Sequence, residues 1–379
     1  MGNCDSTTEN HRLIYNSQKV RTKDYGEFPS NFSSSSLPTV TSSTFNKKDI
    51  HLPYKKNNST KNTNLFENKQ YLLSETISKR EDITQYYKLS KYNLGNGSTS
   101  LVYLGKNSSN EKFAIKRISK LKKKHKDNII KEAEICFKLK HKNIINYYEI
   151  FEDINYINIV MELGDTDLFK LIVNSPLGII PDDLAIDFLI QIFEVIDYLH
   201  NVENIIHCDL KPENFIVIFN KENNKPILKL IDFGNYRKKP LNKERLFNFW
   251  GTKEFIPPEA LENCGFNEKA DEWAAGIIMY NMLTGCDPFI DDDNSDNRDY
   301  IENIKFKEIN FNNIKNGKLR ELNKKLLNRF MDKRISAKEA LDEIKQIKND
   351  LNIKYDIESL KDNKNYWNII NNKLSIMNI

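Results

Sequence analysis

Apolar and polar positions fall into three regimes along the chain. Through residues 1–85 apolar residues are sparse and follow neither a helical nor a strand period. Tracts such as NFSSSSLPTVTSSTFNKK are built of Ser, Thr, Asn and Lys. Such a segment has too little apolar surface to offset the entropy of ordering, so it predicts a disordered arm. Regular patterning starts at Tyr86. YYKLSKYNLGNG and TSLVYLGK read as two strands joined by a Gly turn, KFAIKRI as a third, and YYEIFED and INIVMEL as two more. Among them, residues 128–140 carry Ile129, Ala133, Cys136 and Phe137 at helical spacing.

After Met161 the period changes to that of helices. Pro181 with Asp182 and Asp183 forms a helix start, because a fixed φ and early negative charge both suit the first turn. Leu184, Phe188, Ile192, Ile196 and Leu199 then make one apolar stripe, which reads as core. Further helices are expected near 270–285, 318–331 and 336–350. Residues 349–379 form a polar tail with one Trp367, whose role the pattern leaves open. The fold class is α+β: a small β-rich lobe over 86–161 and a larger helical lobe over 162–348, preceded by the arm 1–85.

Composition narrows the function classes. Hydrophobic residues make up 39% of the 379, and the mean hydropathy is −0.62, in keeping with a chain that is folded only in part. A net charge of +4 gives no global nucleic-acid signature. The five cysteines, Cys4, Cys136, Cys208, Cys264 and Cys286, are odd in number, scattered and free of CxxC spacing. This predicts a reducing compartment and no zinc site. No apolar run approaches the ~20 residues of a bilayer span, and the polar first dozen residues do not resemble a secretory leader.

The chemistry sits at a few positions. Gly95 and Gly97 permit a tight turn between strands whose N–H groups can face phosphate oxygens, although two glycines in a hairpin are usually only a turn. Lys116 closes an apolar strand, and Glu132 lies on the following helix within reach of pairing. HCDLKPEN (207–214) places an acid, a base and an amide, Asp209, Lys211 and Asn214, on one stiff loop. Asp232 ends the apolar strand LKLIDFG. Two acids and an amide around a divalent metal, a paired Lys and a Gly turn are the parts that phosphoryl transfer needs.

In that order and spacing these residues resemble the signature set of eukaryotic serine/threonine protein kinases, over about residues 88–345. GTKEFIPPEAL (251–261) and KADEWAAGIIMYNMLTGCDPF resemble the end of the activation segment and the buried helix after it, with Asp271 as anchor and Arg334 paired to Glu259. The resemblance is closest to the calmodulin-dependent and calcium-dependent group, and the short hinge MELGDTDLF is also similar to dual-specificity checkpoint kinases. It implies a bilobal fold, ATP and Mg²⁺ as cofactors, and protein substrates. Asp209 would be the catalytic base, Lys211 would neutralise the transferring phosphoryl group, and Thr252, which together with DLKPEN is similar to serine/threonine kinases, would be a third catalytic residue. Asn214 and Asp232 would hold the metal. Lys116, held by Glu132, would grip the phosphates under the loop Leu94, Gly95, Asn96, Gly97 and Ser98. Val102, Ala114 and Ile216 would sandwich the adenine, Met161 would be the gatekeeper, and Glu162 and Leu163 would offer hinge backbone groups.

Several features depart from the family pattern or extend it. Ser100 replaces the third loop glycine. Cys208 stands where most of the family has an Arg that pairs with a phosphate on the activation segment, and residues 235–250, NYRKKPLNKERLFNFW, contain no Ser or Thr. The missing receptor and the missing phosphosite agree, and predict a kinase that does not wait for activation-loop phosphorylation. Cys208 itself reads as a small buried filler. Glu213 and Asp167 match positions that accept an upstream Arg, which predicts a mild preference for basic substrates, although Asn281 replaces a further acid. DDDNSDNRDYIE (291–302) has acids at several calcium-loop positions but Asp296 where Gly is needed, so it reads as a solvated acidic loop and not an EF-hand. MGNCDS matches an N-myristoylation signal on Gly2 with Cys4 available for palmitoylation. The expected location is cytoplasmic, at a membrane face where that acylation occurs. The basic run 116–126 reads as a solvated loop ahead of a helix. The rivals are a non-catalytic scaffold of the same fold, and a kinase served by an external calcium sensor on 351–379.

Overall fold

The computed structural model describes residues 78–79, 81–96, 100–120, 126–219, 225–241, 244–290 and 297–353. The small lobe is a six-stranded sheet: β1 (Ser78–Lys79), β2 (Lys88–Asn96), β3 (Ser100–Lys106), β4 (Lys112–Ser119), β5 (Tyr147–Glu152) and β6 (Tyr156–Met161). They lie in the order β1-β5-β6-β4-β3-β2, and only the β1–β5 pair is parallel. Helix α1 (Lys126–Lys138) connects β4 to β5.

The two-residue period of the central strand β4 decides which face each side chain takes. Ile118 and Lys116 share one face. There Ile118 packs with Ala133 of α1 and with Ile150, Ile157 and Ile159. Ile115 takes the opposite face with Val160, Phe151, Tyr87 and Ile83. Lys116 therefore points toward the helix that carries Glu132. Within the segment expected to be the arm, the described residues include β1 (Ser78–Lys79) and a 3-10 turn at Ile83–Gln85. Ile83 is fully buried there, and Tyr86 and Tyr87 stack around Phe151. A few anchoring residues in a polar stretch are enough to dock it, and an average over the stretch hides them.

The large lobe follows the expected helical register. β7 (Thr166–Asp167) and α2 (Leu168–Asn174) lead to α3 (Asp182–Asn201), which begins directly after Pro181 and buries the whole predicted stripe. β8 (Ile205–Ile206), β9 (Phe215–Phe219), β10 (Pro226–Leu230) and β11 (Arg237–Lys238) form two small sheets, β10-β9-β7 and β11-β8. After α4 (Pro258–Leu261), helix α5 (Lys269–Thr284) is buried on nearly every side, the mark of a helix at the centre of a domain. α6 (Asn297–Phe306), α7 (Gly317–Leu326) and α8 (Ala337–Asp350) pack around it. Ser336 and Glu339 close a reciprocal capping box at the start of α8, a motif worth about 1 kcal/mol. The stretch expected to be an acidic loop is helical from Asn297, while 291–296 lies outside the described residues. Among the described residues no helix is long and apolar enough to cross a membrane.

Candidate active site

The loop after β8 and a 3-10 turn at Pro212–Asn214 carry Asp209, Lys211 and Asn214 between the lobes. Thr252 closes this loop from the activation segment. Its N–H and its hydroxyl both donate to Asp209 Oδ1, at 2.9 and 2.7 Å, and the hydroxyl accepts from Lys211 Nζ at 2.6 Å. Lys211 also lies 3.5 Å from Asp209 Oδ2. Acid and ammonium are thus aimed at one point by a third residue. Next to Thr252, a Cβ on Gly251 would lie 2.6 Å from the Cys208 carbonyl oxygen, so only glycine allows the segment to approach the loop this closely.

On the small-lobe side Lys116 Nζ lies 2.8 Å from Glu132 Oε1 and 3.2 Å from Asp232 Oδ1. The Lys116 charge holds the Asp232 carboxyl down to about 2, below the ordinary 3.8, against the effect of burial. Burial alone would lower the Lys116 value, but Asp232 and Glu132 outweigh it and raise it, so the ammonium stays charged. Burial pushes the Glu132 carboxyl up.

Asn214 donates from Nδ2 to the Asp209 backbone oxygen at 2.8 Å, which presents its amide oxygen as the ligand atom. The Asn214 carbonyl accepts from Ile231 N at 2.9 Å, tying this turn to the strand end that delivers Asp232. An amide oxygen and an ionised carboxylate fit a hard divalent cation. Those two residues would hold it, and the ion would supply charge neutralisation at phosphate oxygens.

The wall expected to meet the nucleotide is built by register. Val102 lies opposite both Gly95 and Lys116, and Ala114 lies opposite Met161. Ile216 of β9 lies opposite Asp167. The hinge residue Gly164, which the sequence reading did not single out, approaches so closely that a Cβ there would sit 1.9 Å from Ile216 Cγ2. The Glu162 N–H donates to the Asn146 carbonyl, and its side chain engages Asn146 and Lys229. Its carbonyl is therefore the backbone group that a nucleotide would meet, beside Leu163. Leu94 and Gly95 lie near the end of β2, with Gly95 opposite Val102. Gly97 and Ser98 lie outside the described residues, as does the Asn96 side chain, and so do Gly2 and Cys4.

Two backbone features escape sequence reasoning. Cys208 and Asp232 both hold positive φ, +64° and +65°, in the left-handed region that non-glycine residues rarely adopt. At Cys208 the conformation aims two consecutive N–H groups, those of His207 and Cys208, at the buried Asp271 carboxylate, at 2.8 and 2.9 Å. The Cys208 thiol packs with Ile206, Phe266 and Ala270, against which Leu246 and Phe249 of the activation segment also rest. Phe249 and Phe266 meet edge to face at 4.8 Å. Leu246 and Phe266 exchange two backbone hydrogen bonds of 2.8 Å. Burial pushes the Cys208 thiol well above its ordinary pKa, in keeping with a filler.

Residues 88–344 match the protein kinase domain family. The chain belongs to the protein kinase family. Among similar proteins, serine/threonine-protein kinase dkf-2 of Caenorhabditis briggsae is 33% identical over 240 residues, covering 62% of this chain and 20% of that one. Calcium-dependent protein kinase 3 of Plasmodium yoelii yoelii is 32% identical over 309 residues, 79% of this chain and 55% of that one. Calcium-dependent protein kinase 4 of Plasmodium falciparum (isolate 3D7) is 35% identical over 284 residues, 71% and 51%. The chain thus spans about half or less of these relatives' lengths. Kinase domains use ATP with a divalent metal, and the geometry above is where this kinase would hold them. The kinase brings together Asp209, Lys211 and Thr252 on one side and Lys116, Glu132 and Asp232 on the other. Arg334 grips Glu259 with two hydrogen bonds of 2.8 and 2.9 Å, as the resemblance implied. Of the expected acceptors of a substrate Arg, Glu213 and Asp167, the second caps α2 and pairs with Lys170 at 2.6 Å; Asn281, which replaces a further acid, donates to the Cys286 carbonyl.

Proposed function

We propose that this protein is a serine/threonine kinase that transfers the γ-phosphoryl group of ATP to protein substrates with Mg²⁺, without a requirement for activation-loop phosphorylation. The observation that carries the reading is the convergence of Asp209 and Lys211 on Thr252, a short distance along the chain from the metal-facing Asn214. Asp209 accepts the substrate hydroxyl proton as that oxygen bonds to the γ-phosphorus and the bond to the ADP oxygen breaks. Lys211 offsets the charge on the transferring group. Lys116, fixed by Glu132, holds the remaining phosphates. Asn214 and Asp232 would hold the metal ion, which would supply charge neutralisation at the phosphate oxygens. The test is turnover of ATP and a Ser/Thr peptide library by wild type beside Asp232→Ala. Equal turnover in the two would leave a scaffold as the better reading.

Independence from activation-loop phosphate is supported by the apolar seat under that segment. Cys208, Phe266, Leu246 and Phe249 occupy, with dispersion and burial, the place where a charged receptor would bind a phosphate. Tyr236 is half-buried close to Phe233, which makes it a poor substrate for another kinase. Phosphatase-treated protein should keep its activity. Near-complete loss, with a phosphosite mapped to 235–250, would refute this part.

The preference for mildly basic substrates rests on Glu213 and Asp167. Since Asp167 already pairs with Lys170, the preference should be weak, and a peptide array favouring acidic or proline-directed sites would remove it. Acylation at Gly2 and Cys4 is proposed from MGNCDS alone, with peripheral association at the cytoplasmic face of a membrane as its consequence. A Gly2→Ala protein that fractionates like wild type would refute it.

A further inference from the structure

We infer, resting on the kinase reading above, that Glu272 is a positioning residue for phosphoryl transfer: through His200 and Asp271 it braces the backbone of the loop that carries Asp209. Asp271 and Glu272 are neighbours in the first turn of α5, and each is 1% exposed. His200, in the last turn of α3, lies between their carboxylates. Its Nε2 is 2.8 Å from Asp271 Oδ2 and its Nδ1 is 3.5 Å from Glu272 Oε1. Asp271 Oδ2 also accepts the His207 N–H, and Oδ1 accepts the Cys208 N–H. The same Oε1 of Glu272 accepts the Ala337 N–H at 2.9 Å, at the start of α8. One continuous path therefore joins the N-terminus of α8, Glu272, His200, Asp271 and the residue before the catalytic base.

Two buried carboxylates here share a single imidazole. A lone buried carboxylate would take up a proton rather than stay charged. Among the described residues Glu272 Oε2 has no hydrogen-bond partner, so the side chain is held through Oε1 alone, by His200 and the Ala337 N–H at the positive end of α8. The ionisable groups that face His200 are Asp271 and Glu272, both from α5, and His207 of the loop faces Asp271. Burial by itself would lower the His200 value, but Glu272 and Asp271 outweigh it and raise it to about 10. His200 is then a cation across the physiological range. Both of its N–H groups are donors, and Asp271 stays ionised to receive the loop. With Glu272 neutralised, one carboxylate must offset the burial of the imidazole alone. His200 then loses its proton at a lower pH than in wild type, and the brace loosens once the proton is lost.

The experiment compares wild type with Glu272→Gln, which keeps an oxygen for Ala337 N, and with Glu272→Asp, which keeps the charge. The ratio of the Glu272→Gln kcat to the wild-type kcat should be near one at pH 6. It should fall about ten-fold by pH 8.5, the scale of a small misplacement of a catalytic group, with the KM for ATP unchanged. Glu272→Asp should keep the wild-type profile. Independently of activity, the His200 ring signals in histidine-labelled protein should not titrate between pH 6 and 8.5 in wild type and should titrate in Glu272→Gln. A purely structural role would lower kcat by one factor at every pH and leave the ring signals still. Either result overturns the inference. Absence of transfer by wild type would instead overturn the kinase reading, while the ring titration would still decide whether Glu272 controls His200.

Discussion

The Thr252 hydroxyl stands between Asp209 and Lys211, donating to one at 2.7 Å and accepting from the other at 2.6 Å. It holds the acid and the ammonium at a fixed separation before any substrate arrives. Removing the hydroxyl frees Lys211 to collapse onto Asp209, which it already approaches at 3.5 Å. Thr252→Ala should lower kcat by roughly 10–100-fold through misalignment. The KM for ATP should hardly change, because Lys116 and Glu132 are untouched. Thr252→Ser should keep most of the activity. Steady-state kinetics on a peptide substrate decides the matter: an alanine variant as fast as wild type would show that the hydroxyl has no positioning role.

The cysteines should divide by burial. Cys136 and Cys208 are buried, and burial raises both thiols, so neither offers thiolate at neutral pH. Cys264 is exposed. Alkylation of native protein at pH 7.5, read by mass spectrometry, should modify Cys264 within the time that Cys136 and Cys208 stay unmodified, and unfolding should release all three. Cys208→Ala should cost about 1 kcal/mol or less in stability, since it removes one buried sulfur, and should retain activity. Rapid native labelling of Cys208 would mean that the apolar seat beneath the activation segment opens readily.

Much of this was legible from local pattern. Strand alternation in KFAIKRI fixed which way Lys116 points, and the stripe from Leu184 to Leu199 fixed the buried face of α3. The order of Lys116, Glu132, Asp209, Asn214 and Asp232 marked the site because each residue carries its own chemistry. What the pattern concealed depends on partners far apart in the chain. His200 and Glu272 lie in different helices, and nothing near either residue announces the other. The positive φ of Cys208 has no local glycine or asparagine to signal it, because the Asp271 carboxylate imposes it from outside the loop. Ile83 was missed because one buried anchor within a polar segment leaves no periodicity. Gly164 carries no sequence signal of its own, because its close approach to Ile216 involves a residue 52 positions away.

The Arg334–Glu259 pair should be among the most costly to break from one side. Arg334 is 2% exposed. Beyond its two contacts with Glu259 it donates to the Asn328 and Lys269 carbonyls and stacks over Trp273 at 5.0 Å. Arg334→Ala leaves a buried carboxylate and two backbone oxygens unmatched, and should destabilise the large lobe by about 3–5 kcal/mol. Glu259→Leu combined with Arg334→Met should recover part of that loss, because no uncompensated charge remains. Urea unfolding of the three variants is the measurement. A double variant as unstable as Arg334→Ala would show that the backbone contacts, not the stranded charge, dominate the cost.

Stability should also fall with rising pH in a window set by His200. Its folded value, about 10, lies above the ordinary 6.5 that it has when unfolded, so the folded protein binds this proton more tightly. The contribution is fully present below pH 6.5 and is lost progressively as pH rises toward about 10. The depressed Asp232 carboxyl, at about 2, has the opposite sign. Its contribution is complete above 3.8 and is lost only as pH falls toward 2, so it is constant over the window that matters for His200. The urea midpoint of wild type should therefore drop between pH 6.5 and 9.5 by more than that of His200→Gln, which has no proton to lose. The gap between the two proteins should narrow steadily across that range. A gap that stays constant, or widens with pH, would mean that His200 is neutral in the fold and that its two carboxylates are held apart by something other than its charge.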